Sequence, residues 1–225
     1  MKQQWEKDAK QIAKYYTDKL SEKGFTPEAL AAREKKYENL FLESLFEGIE
    51  ITNHSSFLDI GSGLGLLIPF LESGGIMPKD YFGIELIAPF VEHSKKTYPS
   101  YHFTAGNFIS YNLIPNKTYD YVLALGVLVS RVSNYETYLF EFIKKMVKHS
   151  NKHVLFNIIT KIDITSQNYN NTKSIGGVTS IDRTMLESIL NSIEGITYKI
   201  IEKRVFEDAT DAFVQIKVQQ QAVKE

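Results

Sequence analysis

The feature that most constrains this chain is a run of glycines set directly behind a strand of buried type. Residues 57–60 read Phe-Leu-Asp-Ile and pass into Gly61-Ser62-Gly63-Leu64-Gly65 before an apolar stretch at 66–72. Strand, glycine turn and helix make the opening half of a βαβ unit, which commits a chain to parallel strands joined by crossovers. The same alternation continues downstream, with strands predicted at 81–85, 101–104, 119–125 and 154–159 and helices at 88–97, 135–149 and 181–193. Within 135–149, Tyr138, Leu139, Phe142, Ile143, Met146 and Val147 recur at helical spacing. Residues 196–206 and 212–218 alternate apolar with polar, as an antiparallel pair does. The expected fold is α/β: a Rossmann-like, doubly wound, seven-stranded sheet, mostly parallel, closed by an antiparallel C-terminal hairpin.

Two helices precede the first strand. Residues 4–20 carry Trp5, Ile12, Tyr15, Tyr16 and Leu20 as apolar positions, and 21–26 break the pattern. Thr26-Pro27 then starts a second helix predicted to run to about Gly48, with Leu40, Phe41, Leu45 and Phe46 on one face. Residues 160–180, rich in Asn, Ser and Thr, read as a long loop. No repeat or low-complexity linker interrupts the chain, so it divides into a helical cover at 1–50 and a sheet domain at 51–225.

Composition narrows the function classes. At 43% hydrophobic and 24% charged, 225 residues can bury a sizeable core. Twenty-six basic against 27 acidic residues leave a net charge of −1, which supplies no global field for a nucleic-acid backbone. The absence of cysteine removes disulfides, thiolate zinc sites and cysteine catalysis. No apolar run reaches the roughly 18 residues of a membrane helix, and residues 1–10 have no apolar secretion-signal core, so a cytoplasmic protein is expected. The basic residues are 22 Lys and four Arg (Arg33, Arg131, Arg183 and Arg204). With Lys so abundant, an Arg in a loop is the stronger clue, because its planar fork suits carboxylate or phosphate.

The glycine run does not fit the dinucleotide fingerprint G-x-G-x-x-G. Its third glycine would fall at Leu66 or at Ile68, depending on the register. The pattern is instead an acid, Asp59, followed by glycines at 61, 63 and 65. Alternating glycines let a ligand approach the backbone closely, and a carboxylate ahead of them suits a cationic amine better than a pyrophosphate. Glu85 ends the second predicted strand, where an acid can accept hydrogen bonds from both hydroxyls of a ribose. After the third strand come Gly106-Asn107-Phe108, an amide and an aromatic ring able to read an adenine edge and cover its face.

This constellation resembles the class I S-adenosylmethionine-dependent methyltransferases, closely over 56–160 and in outline to 218. It is most similar to a bacterial group of small-molecule-type enzymes. The shared segments are Gly24-Phe25-Thr26-Pro27-Glu28-Ala29 (G-x-x-P-x-A), Tyr119 to Gly126 (Y-D-Y-V-x-A-x-G) and Phe156-Asn157 (F-N). The resemblance implies that S-adenosylmethionine is the cofactor and S-adenosylhomocysteine the product. Asp59, Gly61, Ser62, Gly63 and Gly65 would hold the methionine part, Glu85 and the adjoining Leu86 the ribose. Asn107 and Phe108 would bind adenine; many relatives have Asp at position 107. The backbone at Leu125 and Gly126 would face the methyl group.

The implied activity is methyl transfer to an oxygen or nitrogen of a small polar metabolite, such as a sugar or sugar nucleotide. The alternatives are an RNA or protein methyltransferase and a non-catalytic cofactor-binding module. Amino-directed nucleic-acid enzymes carry Asn/Asp-Pro-Pro-Tyr after the fourth strand, where this chain reads Ala124-Leu125-Gly126-Val127. Near the methyl group the candidates are Arg131, Asn157 and Asp163, with Tyr15 and Tyr16 as a lid and Arg204 and Asp211 flanking the terminal hairpin; Arg131 could instead cap the turn after the fourth strand. His54, His93, His102, His149 and His153 are not spaced with carboxylates as metal ligands, and no metal is expected. The sequence leaves the oligomeric state open.

Overall fold

Among the described residues of this computed structural model, which are 1–30, 35–166, 169 and 173–219, seven strands form one sheet. Its centre is β1 (Ser56–Ile60) beside β4 (Tyr119–Ala124), two strands with apolar side chains on both faces. That composition suits a parallel strand covered by helices on either side. From β1 the sheet extends through β2 (Asp80–Glu85) to β3 (His102–Ala105). From β4 it extends through β5 (Ser150–Ile162) to β7 (Ala209–Val218) and, at the edge, β6 (Ile196–Lys203). The order is β3-β2-β1-β4-β5-β7-β6, and β7 runs antiparallel to both its neighbours. The order reverses between β1 and β4, the place where an open α/β sheet leaves a crevice at its strand C-termini.

Each face has its own core. On one side α5 (Tyr135–Lys148) and α6 (Arg183–Asn191) bury Leu139, Phe142, Leu186 and Leu190 against Val122 and Phe156. Each such side chain contributes about 1.5–3 kcal/mol by leaving water. Asp182 starts α6 by accepting the Thr184 N–H at 2.8 Å, a side-chain cap for a free donor. On the other side α2 (Lys35–Leu45), α3 (Leu67–Ser73) and α4 (Ala88–Thr97) bury Leu45, Leu71 and Val91 against Phe57, Tyr121 and Phe213.

The first helix, α1 (Lys2–Lys23), is longer than predicted and ends at Gly24, which turns the chain at φ 67°. The single second helix expected over 27–48 is corrected. The chain makes a 3-10 turn at Pro27–Leu30, closed by the Ala29 N–H on the Thr26 carbonyl at 3.0 Å, and α2 begins only at Lys35. The join at 31–34, Arg33 included, lies outside the described residues. Strand β5 spans 13 residues rather than 154–159, because it is laddered on both sides, parallel to β4 and antiparallel to β7. Backbone pairing carries it through polar ends that the apolar pattern does not mark. The predicted loop 160–180 is tied down at its far end: Arg131 N–H donates to the Gly177 carbonyl (2.7 Å), Gly176 N–H to the Arg131 carbonyl (2.9 Å) and Thr179 N–H to the Val129 carbonyl (2.8 Å).

Candidate functional site

A cavity of about 440 Å³ opens at the C-terminal ends of β1, β2, β4 and β5, under α1 and α2. The glycine loop forms one rim. Gly61 (φ 75°) and Gly63 (φ 51°) both adopt the left-handed backbone that glycine allows at little cost. A Cβ on Gly61 would run into Val127, and one on Gly63 would lie 2.7 Å from Leu30 Cδ1. The turn thus has side chains from beyond β4 and from the N-terminal segment resting directly on it. Gly61 and Ser62 line the cavity. Gly63 and Gly65 do not: Gly63 sits under Leu30, and Gly65 turns away beneath the Tyr98 ring. Of the loop residues expected to hold the methionine part, Gly61 and Ser62 thus face the cavity, while Gly63 and Gly65 support the turn.

Two buried acids face the cavity from adjacent strands. Asp59 accepts a hydrogen bond from the Tyr81 hydroxyl at 2.6 Å, and burial pushes its carboxyl up to about 6, with the charge of Glu85 adding to the rise and the Tyr81 bond opposing it. Glu85 accepts the Gly63 N–H through Oε2 (3.0 Å) and the Ile87 N–H through Oε1 (2.9 Å). Burial raises its pKa, and the backbone donors of Ile87, Gly63 and Leu86 pull it back. Each Glu85 oxygen keeps a further lone pair for another donor. Neither acid has a cationic partner among the described residues.

The adenine-side candidates are placed differently. Leu86 and Asn107 line the cavity. The Asn107 amide, however, donates to Glu6 of α1 (2.8 Å) and to Ser110 (3.1 Å), while its oxygen accepts the Ile109 N–H (3.3 Å). The side chain caps its own turn and holds α1. Phe108 serves twice, lining the cavity and burying its ring 4.8 Å from that of Phe142.

Of the methyl-side candidates, the structure brings Leu125, Gly126, Asn157, Tyr15 and Tyr16 to the cavity. Asn157 Oδ1 accepts the Gly126 N–H at 2.7 Å, which fixes the chain just past β4. Burial pushes the Tyr16 hydroxyl up to about 12, with Tyr15 and Glu85 adding to the rise and Ser130 opposing it. Two expectations fail. Asp163 lies outside the cavity, paired with Arg204 at 2.7 Å. It was expected just past a strand ending at 159, and the three further residues of β5 carry it roughly 10 Å along the strand. Arg131 is also absent from the wall; its backbone ties 129–131 to 176–179, and its Nε is buried without a partner among the described residues.

Helix α1 is fastened across the crevice at two points. Trp5 Nε1 donates to the Ser133 carbonyl (3.0 Å), and Asp8 accepts the Ser133 N–H (2.7 Å) at the entrance of α5. Glu6 receives Asn107 and the Tyr111 hydroxyl (3.1 Å) beyond β3. Sequence reasoning missed Tyr37, Phe41 and Phe206 as wall residues, whereas Asp211, beside the terminal hairpin, does line the cavity. Only the spacing of Tyr37 and Phe41, four apart on one helix face, hinted at a shared surface.

No family model matches the chain, and no curated protein matches it in sequence. Solved structures do match in shape. A SAM-dependent methyltransferase from Leishmania major superposes with a TM-score of 0.69, covering 93% of this chain and 83% of that one at 14% identity. This is the class I methyltransferase fold. Magnesium protoporphyrin IX methyltransferase from Synechocystis, solved with bound SAH, shares the class I fold with a TM-score of 0.57 over 82% of each chain, at 12% identity. The [4+2]-cyclase SpnF shares it too, with a TM-score of 0.60 over 84% of this chain and 83% of that one, at 13% identity.

Proposed function

We propose that the chain is an S-adenosylmethionine-dependent methyltransferase whose acceptor is an oxygen or nitrogen of a small molecule. The observation that carries this reading is the buried pair Asp59 and Glu85. Two carboxylates facing one cavity with raised pKa values, and no cation beside them among the described residues, fit a ligand that brings a positive charge and hydroxyl donors. Asp59 would pair with the ammonium of the methionine part and Glu85 with the ribose hydroxyls. Gly61 and Ser62 would bound the same end, Gly63 and Gly65 supporting the turn from below. Leu86 and Phe108 would flank the adenine; Asn107 could reach it only by exchanging its bond to Glu6. The bound cofactor supplies a methyl group on a sulfonium leaving group, so the protein needs no nucleophile of its own.

The remaining work falls to alignment and exclusion of water. Asn157 fixes Gly126, so the backbone at Leu125 and Gly126 presents a rigid edge to the acceptor. Tyr16, pushed to about 12, stays protonated near neutrality and acts as a hydrogen-bonding hydroxyl, not as a base. Residues 1–50 form the cover of the domain at 51–225. A sugar nucleotide, anticipated from the sequence, meets no Lys, Arg or His among the described wall residues.

A second reading has one observation behind it: a cyclase shares the class I fold, so cofactor binding without methyl transfer is the alternative. Calorimetry with S-adenosylmethionine and S-adenosylhomocysteine tests the core claim, with saturable one-site binding expected. No binding of either ligand would sink both readings. Binding without release of the demethylated product across an acceptor panel would favour the second.

A further inference from the structure

From the geometry of the other half of the cavity we infer that it is an acceptor chamber for a flat, largely apolar molecule with a hydrogen-bond-accepting atom, not for a sugar. The inference rests on the proposed function for its chemistry but on separate residues for its support. It meets the acid end at Val127, which lines the cavity close against Gly61. Asn157 and Ile159 of β5 line it, with the buried Asp211 of β7 paired across from Ile159. Its outer wall is aromatic: the Tyr37 ring lies 4.7 Å and the Phe41 ring 5.8 Å from that of Phe206. All three rings line the cavity, and a flat apolar body set against such a wall gains both area burial and ring contacts. A hydroxyl-rich sugar would instead surrender hydration to the aromatic wall, whose carbon faces return no hydrogen bonds.

The second observation is the amide of Asn157, which is 2% exposed. Its Oδ1 is taken by the Gly126 N–H, so its orientation is set and its two Nδ2 donors point elsewhere. No partner for Nδ2 exists among the described residues, yet the atom is not sealed off, since Asn157 lines the cavity. A buried donor pair beside the proposed methyl position calls for an acceptor atom on the ligand. A phenolic or enolic oxygen, or the nitrogen of an aromatic ring, meets that demand while its ring meets the aromatic wall. Tyr16 and Ser130, which also line the cavity, add hydroxyls.

The test uses the full chain and two probes, 1-naphthol and UDP-glucose, each titrated by calorimetry with and without saturating S-adenosylhomocysteine. One-site binding of 1-naphthol is expected, tightened by the homocysteine ligand and weakened at least tenfold in Phe206→Ala. That variant should still bind S-adenosylhomocysteine within about threefold of the parent chain, consistent with a wall that touches only the acceptor. Asn157→Leu, which removes the donors, should weaken 1-naphthol as well. One-site binding of UDP-glucose without 1-naphthol would overturn the chamber's assignment, and so would 1-naphthol binding indifferent to Phe206→Ala. If S-adenosylhomocysteine fails to bind while 1-naphthol binds and responds to Phe206→Ala, the chamber stands and the cofactor reading falls.

Discussion

At the β1–β2 end of the cavity, Asp59, Ser62, Glu85 and Asn107 all stand within two residues of a strand's C-terminus. At the β5–β7 end the wall comes from Tyr37 and Phe41 on a helix before the first strand, Ile159 and Asp211 on antiparallel partners, and Phe206 between β6 and β7. The first end is built by local rules, a strand stopping and a glycine turn beginning, so each functional residue has a fixed place relative to an element boundary. The second exists only where distant segments converge. The difference also runs through the chemistry: two carboxylates and backbone hydrogen bonds at one end, aromatic surface, one oriented amide and the carboxylate of Asp211 at the other.

The sharpest way to break this contrast is to damage the local end through its backbone. Gly63→Val puts a β-branched residue at φ 51° with Leu30 Cδ1 2.7 Å from its Cβ. Cofactor binding should vanish in calorimetry and the melting temperature should fall. Retained binding would show that the turn tolerates side chains and is not a ligand-shaped device.

Glu85→Ala comes next. It removes the proposed ribose contacts and strands the Gly63 and Ile87 N–H groups, each bonded at present to one carboxylate oxygen. Hydrogen bonds to a charged group are worth about 1.5–3 kcal/mol each. The dissociation constant of S-adenosylhomocysteine should therefore rise about 100-fold, and an unchanged value would remove Glu85 from the site.

Asp59→Asn separates stability from function. The Asp59 carboxyl moves from an ordinary 3.8 to about 6 on folding. Below pH 4 it is protonated in both states and contributes nothing; as pH rises through 6 the folded protein must ionise a buried acid. The resulting destabilisation is complete above pH 6 and amounts to about 3 kcal/mol. Ligand-free Asp59→Asn should thus resist urea better than the parent chain at pH 8, with the gain fading by pH 4, while binding S-adenosylmethionine more weakly at pH 8. A variant that loses stability at pH 8 would contradict the uncompensated burial of this acid.

The smallest effect is reserved for a residue that the fold removed from the site. Asp163→Asn breaks only a partly exposed pair with Arg204, so denaturation should shift by less than about 1 kcal/mol and cofactor affinity should not move. A large loss of binding would return Asp163 to the active site.

Of the residues read from sequence alone for the acid end, Asp59, Gly61, Ser62, Glu85, Leu86 and Phe108 line the cavity, while Gly63 and Gly65 do not. Asn107 reaches it too, although nothing nearby in sequence predicts that Glu6, on the first helix, takes its amide. Asp163 and Arg131 were misplaced for one shared reason. Both depend on where β5 and the segment after β4 end, and long-range pairing decides those ends: β7 extends β5 to Ile162, and residues 176–179 capture 129–131.

What the sequence determined by itself is the alternation of strand and helix, the seven-stranded sheet with its antiparallel end, and the acids poised beside a glycine turn. These follow from side-chain periodicity and local backbone sterics, which act over a few residues. The tertiary structure decided the length of β5, the fastening of α1 across the crevice and the aromatic wall opposite Asn157. Those features arise from hydrogen bonds and packing between residues up to 170 positions apart, as between Gln215 and Leu45. No periodicity along the chain encodes such pairs, because each is selected only once the sheet has brought its two partners together.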